Sequence, residues 1–345
     1  MRKLVSTLFD EAVGLGSQAL HLLSPPNEDS LAELGAYRGR PIEEMFPPPP
    51  PAEDLALEVR RRWRFRGLAS EDLRMRSPHV PLSETFRRRY ERDYEAAHWI
   101  VAKRIRAPGP GPKPTLLYLH GWVQPETPFE ELAVLATMAV RLGMDVVQLQ
   151  PPYHGRRTPR RSKFSGEWYW TADMVRSIEA LRQNLVDGRA MLSKLIETGE
   201  GRPVGLAGIS LGGALTLALT GVEDRWAFSV PMIAHLDLAA LLDDAPILRP
   251  MRRELAARGW SPADLHAFMD SIGWNTLRPR IPTERMLWIA ARYDRFFLPD
   301  KVEALWRRWG EPRIHWYAGG HMEIAFNLWD AVGRIRRFVR ELGVR

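Results

Sequence analysis

The stretch "GLAGISLGGA", residues 205–214, decides how the rest of this chain is read. It lies in a run of twenty residues without charge, Pro203 to Val222, which by length alone would suit a membrane span. The glycines argue otherwise. An apolar strand, "PVGLAG" (203–208), leads in, and an apolar helix, "LGGALTLALTGV" (211–222), leads out. Between them Gly208-Ile209-Ser210-Leu211-Gly212 fits G-x-S-x-G, which seats a serine on a sharp strand-to-helix turn. Small neighbours let the strained backbone fit and leave the hydroxyl exposed, while the helix start aims partial positive charge at a developing oxyanion. The pattern is short enough to arise by chance; the strand before it and the helix after it give it weight.

A nucleophilic serine needs a base, and the base needs an orienting acid. "WYAGGHMEI" (316–324) places His321 just past a short strand, after two glycines that let the loop swing the imidazole over the sheet edge. "LWIAARYDRFFLPD" (287–300) places Asp294 directly after the preceding strand, with Asp300 six residues on as the competing acid. The oxyanion hole needs two backbone donors: the amide of Leu211, and that of Trp122 from "LLYLHGW" (116–122), where His120 and Gly121 permit a tight turn. His120 is read as a support of that loop.

Working outward, "TLLYLH" (115–120), "DVVQLQ" (145–150), "WAFSVPM" (226–232), "RMLWIAA" (285–291) and "IHWYA" (314–318) read as short buried strands. They alternate with helices at 129–143, 171–198, 211–222 and 322–342, which predicts an α/β fold with a mostly parallel, doubly wound sheet. Residues 237–282 break the rhythm and are expected to form a helical lid insertion over one end of the sheet. Residues 81–345 are taken as the main domain and 1–80 as an N-terminal extension. That extension opens with an amphipathic helix whose stripe is Leu4, Leu8, Ala12, Leu15, Ala19 and Leu22, which packs on the main domain or docks on a lipid surface. Asp10 and Glu11 interrupt what would otherwise pass for a signal peptide. Pro47 to Pro51 form a stiff connector. Residues 59–66, "VRRRWRFR", read as a strand with one solvated face, and 95–108 as another.

The segments His120-Gly121-Trp122, Gly208 to Gly213, Asp294 and Gly320-His321 resemble the α/β-hydrolase superfamily over residues 90–345. Within it, "PPYHGRRTPRRSKFSGEWYW" (151–170) together with "GISLGGA" is similar to the α/β-hydrolase-domain-eighteen-like group. The resemblance implies a Ser210–Asp294–His321 triad, in that chain order, acting on an ester carbonyl without metal or organic cofactor. The same residues would serve a peptidase, thioesterase or lipase.

Stretch 151–170 follows the "DVVQLQ" strand and so lies at the same sheet edge as Ser210. His154, Arg156, Arg160 and Trp168, with His120 and Gly121 of the earlier loop, are candidates for substrate contact, with the aromatics and Trp260 and Trp274 accepting an acyl chain and the arginines favouring anionic esters. The plain alternative is that the arginines pair with acids and pin the loop. The chain carries +7 net charge, with 49 basic and 42 acidic residues, and only six of the basic ones are lysine. Arginine clusters at 60–66, 87–92, 156–161 and 334–340 suggest a second function class, a non-catalytic protein binding a membrane or nucleic-acid surface. No nucleic-acid module signature accompanies them, so a small-molecule or lipid ester is the expected partner, with peripheral membrane contact as an accessory. Cysteine is absent, which removes disulfides and thiol nucleophiles and suits a cytoplasmic location. No metal-ligand spacing such as H-E-x-x-H occurs.

Overall fold

The computed structural model describes residues 2–21, 24 and 27–344, with the side chains of 17 and 19–21 left aside. Its centre is a nine-stranded sheet among the described residues, in the order β1-β2-β3-β5-β4-β6-β7-β8-β9. The strands are β1 (Glu58–Phe65), β2 (Leu68–Arg76), β3 (Trp99–Arg106), β4 (Thr115–Leu119), β5 (Asp145–Leu149), β6 (Val204–Ile209), β7 (Ser229–Met232), β8 (Leu287–Ala291) and β9 (Arg313–Tyr317). From β5 to β9 every pairing is parallel, and β3, β2 and β1 continue the sheet antiparallel.

Parallel strands need crossovers, and helices supply them on both faces. The helices are α1 (Arg2–His21), α2 (Ile42–Met45), α3 (Glu84–Asp93), α4 (Ala136–Leu142), α5 (Met174–Thr198), α6 (Leu211–Val222), α7 (Leu238–Asp244), α8 (Arg249–Ala257), α9 (Pro262–Ser271), α10 (Pro299–Arg308) and α11 (Ile324–Glu341). One core joins α5, α6 and α10 to the sheet through side chains such as Ile178, Leu215 and Leu305; the other joins α4 and α11 through Met138, Ile335 and Phe338. β4, β5 and β8 are buried along their whole length, as continuous apolar runs under two helical layers must be. The C-terminal ends of β4 to β9 therefore converge on one edge, where open α/β sheets form their crevice. The insertion after β7 folds as α7, α8 and α9 over that edge.

Four expectations need correction. β2 was not anticipated, because "LASEDLRMR" carries charges that mask a strand pattern. Leu73 and Met75 are nevertheless buried, and Glu71 is matched by Arg104 on the neighbouring strand at 2.5 Å. β1 and β2 belong to the main sheet, so residues 58–76 join it although they were assigned to the N-terminal extension. β1 is an edge strand, and the face expected to be covered is so only at Trp63, which packs on the core, while Phe65 is exposed like the arginines around it. Residues 31–55 of the extension also pack on the main domain. Tyr37, Met45 and Phe46 are buried against α5, whose Glu179 accepts from the Tyr37 hydroxyl at 2.6 Å and whose Arg189 donates to the Phe46 carbonyl at 2.8 Å.

The fourth correction concerns α1. Leu4, Leu8 and Leu15 of the expected stripe are 63%, 60% and 58% exposed, and Ala12 is exposed with them. The helix turns its opposite face inward, burying Ser6, Asp10 and Gly14. Gly14 is where α1 meets the insertion: a Cβ there would come within 2.6 Å of Pro246 Cβ, and Gln18 donates to the Pro246 carbonyl at 3.2 Å. The side chain of Ala19, and Leu22 altogether, lie outside the described residues.

Candidate active site

Ser210 sits between β6 and α6 with φ 57° and ψ −118°, a conformation that a non-glycine residue adopts only when its surroundings enforce it. The enforcement is steric. A Cβ at position 208 would lie 2.1 Å from the Gly212 carbonyl oxygen, and one at 212 would lie 2.0 Å from that of Leu119. Strand, turn and helix can pack this closely only with glycine at both places, and the serine is thereby pushed out of the turn.

The Ser210 hydroxyl donates to His321 Nε2 at 2.8 Å, and His321 Nδ1 donates to Asp294 Oδ2 at 2.8 Å. A carboxylate only accepts, so the proton sits on Nδ1 and Nε2 is free to take one from serine. The other oxygen of Asp294 accepts from the backbone amides of Phe296 at 2.8 Å and Phe297 at 2.9 Å, which locks the carboxylate's orientation. Asp300 is exposed in the first turn of α10, away from this arrangement. The rings of Phe296 and Phe297 stack on His321 at 4.7 and 5.7 Å between centroids. Burial alone would lower the pKa of His321, but the Asp294 charge and hydrogen bond, helped by Asp10, raise it above the ordinary 6.5.

Ser210 and His321 open into a cavity of about 650 Å³. Gly121, Trp122 and Leu211 line it beside them, so the two segments expected to supply backbone donors flank the serine. The remaining wall includes Gln124 but is mostly apolar: Trp170 from the 151–170 loop, Leu241, Ile247 and Trp274 from the insertion, and Val13 from α1. Among the described lining residues no charged side chain appears apart from the titratable His321.

No family model matches this chain. Two curated relatives from Mycobacterium tuberculosis, "Uncharacterized protein MT2702" of strain CDC 1551 / Oshkosh and "Uncharacterized protein Rv2627c" of strain ATCC 25618 / H37Rv, are each 29% identical over 294 residues, 80% of this chain. The chain spans 65% of the length of these relatives. Among solved structures, an acetyl xylan esterase from Paenibacillus sp. R4 superimposes with a TM-score of 0.59 at 16% identity, covering 89% of this chain and 98% of that one. Acetyl xylan esterase 1 from Thermoanaerobacterium sp. JW/SL YS485 gives 0.52 at 15% identity, covering 89% and 99%. Oligopeptidase B from Leishmania major gives 0.51 at 13% identity, covering 84% of this chain and 37% of its own. The chain has the α/β-hydrolase fold.

Several residues expected at the substrate lie elsewhere in this chain. Arg156 pairs with Asp72 at 3.2 Å and Glu126 at 3.0 Å, in a separate cleft against β1. Arg157 is wholly buried with Asp187, 2.8 Å away, and also donates to the carbonyls of Gln150 and Ala97. Arg160 and Trp168 line a third cleft, where Trp168 packs edge-on against Tyr94. These side chains point away from the cavity because the loop turns back on itself at Tyr153, Gly155 and Gly166, all at positive φ. Trp260 is also absent from the cavity wall; it packs on Phe268 within the insertion.

His120 and His154 are buried structural groups. His120 Nδ1 donates to the Gly121 carbonyl at 2.7 Å, and desolvation pulls its pKa down to about 4. His154 Nδ1 donates to Pro152 at 2.9 Å, its ring lies 5.4 Å from that of His120, and burial holds its pKa far below the ordinary range. Trp122 fastens this layer: its indole donates to the Gly166 carbonyl at 2.8 Å.

Phe296, Phe297 and the α1 residues were not foreseen. The two phenylalanines follow Asp294 in "DRFF", and aromatic residues beside a triad acid were a usable signal. For α1 the signal was Asp10 itself, a charge on the face of the helix opposite the Leu4, Leu8 and Leu15 stripe.

Proposed function

We propose that this α/β-hydrolase is a serine hydrolase of carboxylic esters, acting through Ser210, His321 and Asp294. The observation that carries the reading is the pair of 2.8 Å hydrogen bonds that join a strained serine to a buried histidine and that histidine to an oriented carboxylate. Ser210 Oγ attacks the carbonyl carbon as His321 Nε2 takes its proton. The carbonyl π pair moves to oxygen, where the amides of Leu211 and Trp122 receive it. His321 then returns the proton to the leaving alcohol, and water repeats the cycle to free the acid. Two of the structural neighbours are acetyl xylan esterases, which agrees with this reaction, and no cofactor enters it.

The uncharged cavity favours an acyl ester over an anionic one. An aliphatic acyl group gains roughly 0.8 kcal/mol per methylene buried there, and no lining guanidinium offsets the desolvation of a substrate charge. The alternative of a non-catalytic surface binder accounts for exposed arginines such as those on β1, but leaves the serine–histidine–aspartate relay without a use. The narrower likeness to the domain-eighteen-like group rests on 151–170 and "GISLGGA" and belongs to the same proposal. Peripheral contact with lipid does too, supported by the outward leucines of α1; no helix among the described residues is long and apolar enough to cross a membrane.

The test is labelling by a fluorophosphonate probe, comparing wild type with Ser210→Ala, followed by p-nitrophenyl esters graded in chain length and charge. Labelling should vanish in the variant, and kcat/KM should climb with acyl length on neutral esters. Labelling that survives the substitution refutes Ser210 as nucleophile.

A further inference from the structure

α1 carries a buried charge that the reaction described above leaves unused. Asp10 is fully buried on the inward face of the helix, and its hydrogen-bond partners among the described residues are three backbone amides. Oδ2 accepts from His321 at 2.8 Å and from Arg295 at 3.2 Å; Oδ1 accepts from Met322 at 3.0 Å. Arg295 follows Asp294 directly. One carboxylate from the start of the chain thus holds the loop that presents the base and the loop that presents its acid.

The neighbouring residue is shaped for it. A Cβ on Gly320 would stand 2.8 Å from Asp10 Oδ2, so the second glycine before His321 admits this carboxylate as well as bending the loop. The other groups around the loop are engaged elsewhere. Glu323 accepts from the Gly320 amide at 2.6 Å, and the Tyr317 hydroxyl donates to the Gly320 carbonyl at 2.9 Å. Arg249 and the Arg295 guanidinium reach Glu11, at 2.9 and 3.7 Å.

No cation is hydrogen-bonded to Asp10, and Asp294 lies near enough to repel it. Burying a carboxylate in this way is costly, and fastening a helix does not require it. Gly14 and Gln18 already seat α1 on the insertion.

We propose that Asp10 is a positioning residue of the catalytic centre: it sets the His321 loop against the Asp294 loop and places a second negative charge toward the imidazolium that forms when Ser210 gives up its proton. The inference rests on the serine-hydrolase reading of Ser210, His321 and Asp294. Asp10 takes no proton itself. It acts through its three amides, which fix where Nε2 meets Oγ, and through its charge, which with that of Asp294 favours protonated His321. Desolvation, with the Asp294 charge, raises the pKa of Asp10 above the ordinary carboxylate value, although the Met322 and His321 amides and the His321 charge pull it back, and Asp10 in turn raises that of His321.

The experiment measures the second-order rate of fluorophosphonate labelling against pH for the full chain, as wild type, Asp10→Asn, Gln18→Ala and Ser210→Ala, with thermal unfolding recorded for each. Asp10→Asn keeps the shape, removes the charge and turns one acceptor into a donor facing an amide. Labelling should slow by about tenfold to a hundredfold, the range expected when a reacting group is misplaced by a fraction of an ångström to one ångström. The pH midpoint should also move lower, because the imidazolium has lost a stabilising charge. Gln18→Ala loosens α1 but spares the carboxylate, so its midpoint should match wild type. A wild-type midpoint in Asp10→Asn, whatever its rate, overturns the proposal. If Asp10→Asn does not fold, Gly320→Ala decides: it pushes the loop off the carboxylate with both charges intact, and a wild-type labelling rate in it overturns the proposal. Failure of wild type to label at Ser210 would instead sink the parent reading, so the two failures are distinct.

Discussion

Arg157→Met decides whether the arginines of 151–170 serve the substrate or the fold. In the structure the guanidinium has no solvent exposure and donates to Gln150 O at 2.9 Å, Ala97 O at 3.0 Å and Asp187 Oδ2 at 2.8 Å. Methionine roughly fills the volume but leaves Asp187 as a buried carboxylate, with the Ser77 hydroxyl at 2.5 Å as its remaining hydrogen-bond donor. Removing one partner of such a pair costs about 3–5 kcal/mol. Unfolding entropy of about 2.1 cal/mol/K per residue over 345 residues is about 0.7 kcal/mol/K, so Tm should fall by about 4–7 °C. Adding Asp187→Leu removes the orphaned charge and should recover most of that loss. Arg156→Met breaks only half-exposed pairs and should cost about 0–1 kcal/mol. The assay is thermal unfolding of the four proteins, with kcat/KM on a neutral and an anionic ester measured in parallel. A loss below about 1 kcal/mol in Arg157→Met, together with a selective loss on the anionic ester, would refute the structural assignment and return the arginines to the substrate.

Two further outcomes follow from the same structure. His321 must be neutral to accept the serine proton, and its pKa is raised above 6.5, so kcat/KM should increase with pH and reach half its maximum above 6.5; a half-maximum below that value contradicts the Asp294 and Asp10 contributions. On α1, replacing the exposed Leu4, Leu8 and Leu15 with serine should weaken co-sedimentation with phosphatidylcholine vesicles by about a thousandfold, at about 1.5 kcal/mol per leucine; a wild-type protein that stays in the supernatant removes lipid contact from the proposal.

What the sequence determined by itself is local. The charge-free run, its glycines and the serine between them specify strand, elbow and helix, because the steric demands at Gly208 and Gly212 are met within a few residues and written there. The alternation of short apolar runs with helices likewise specified a mostly parallel sheet, and the chain order of Ser210, Asp294 and His321 follows from where each run ends. Even here the choice between Asp294 and Asp300 needed coordinates, since both follow β8 and only one comes within 2.8 Å of the imidazole.

What only the tertiary structure decided involves partners far apart in the chain. The periodicity of α1 shows that the helix has an apolar stripe, but not which face is buried. The stripe faces outward because three amides from beyond residue 290 satisfy Asp10 on the other side. The arginines of 151–170 look alike in sequence; Asp72, Glu126 and Asp187 sort them into half-exposed and buried pairs. β2 stayed hidden because its charges find distant partners: Glu71 pairs with Arg104 and Arg106 of β3, and Asp72 with Arg62 of β1 and with Arg156. Hydrogen bonds and ion pairs of this kind carry no periodic signal, so they become legible only when the fold has brought the two ends together.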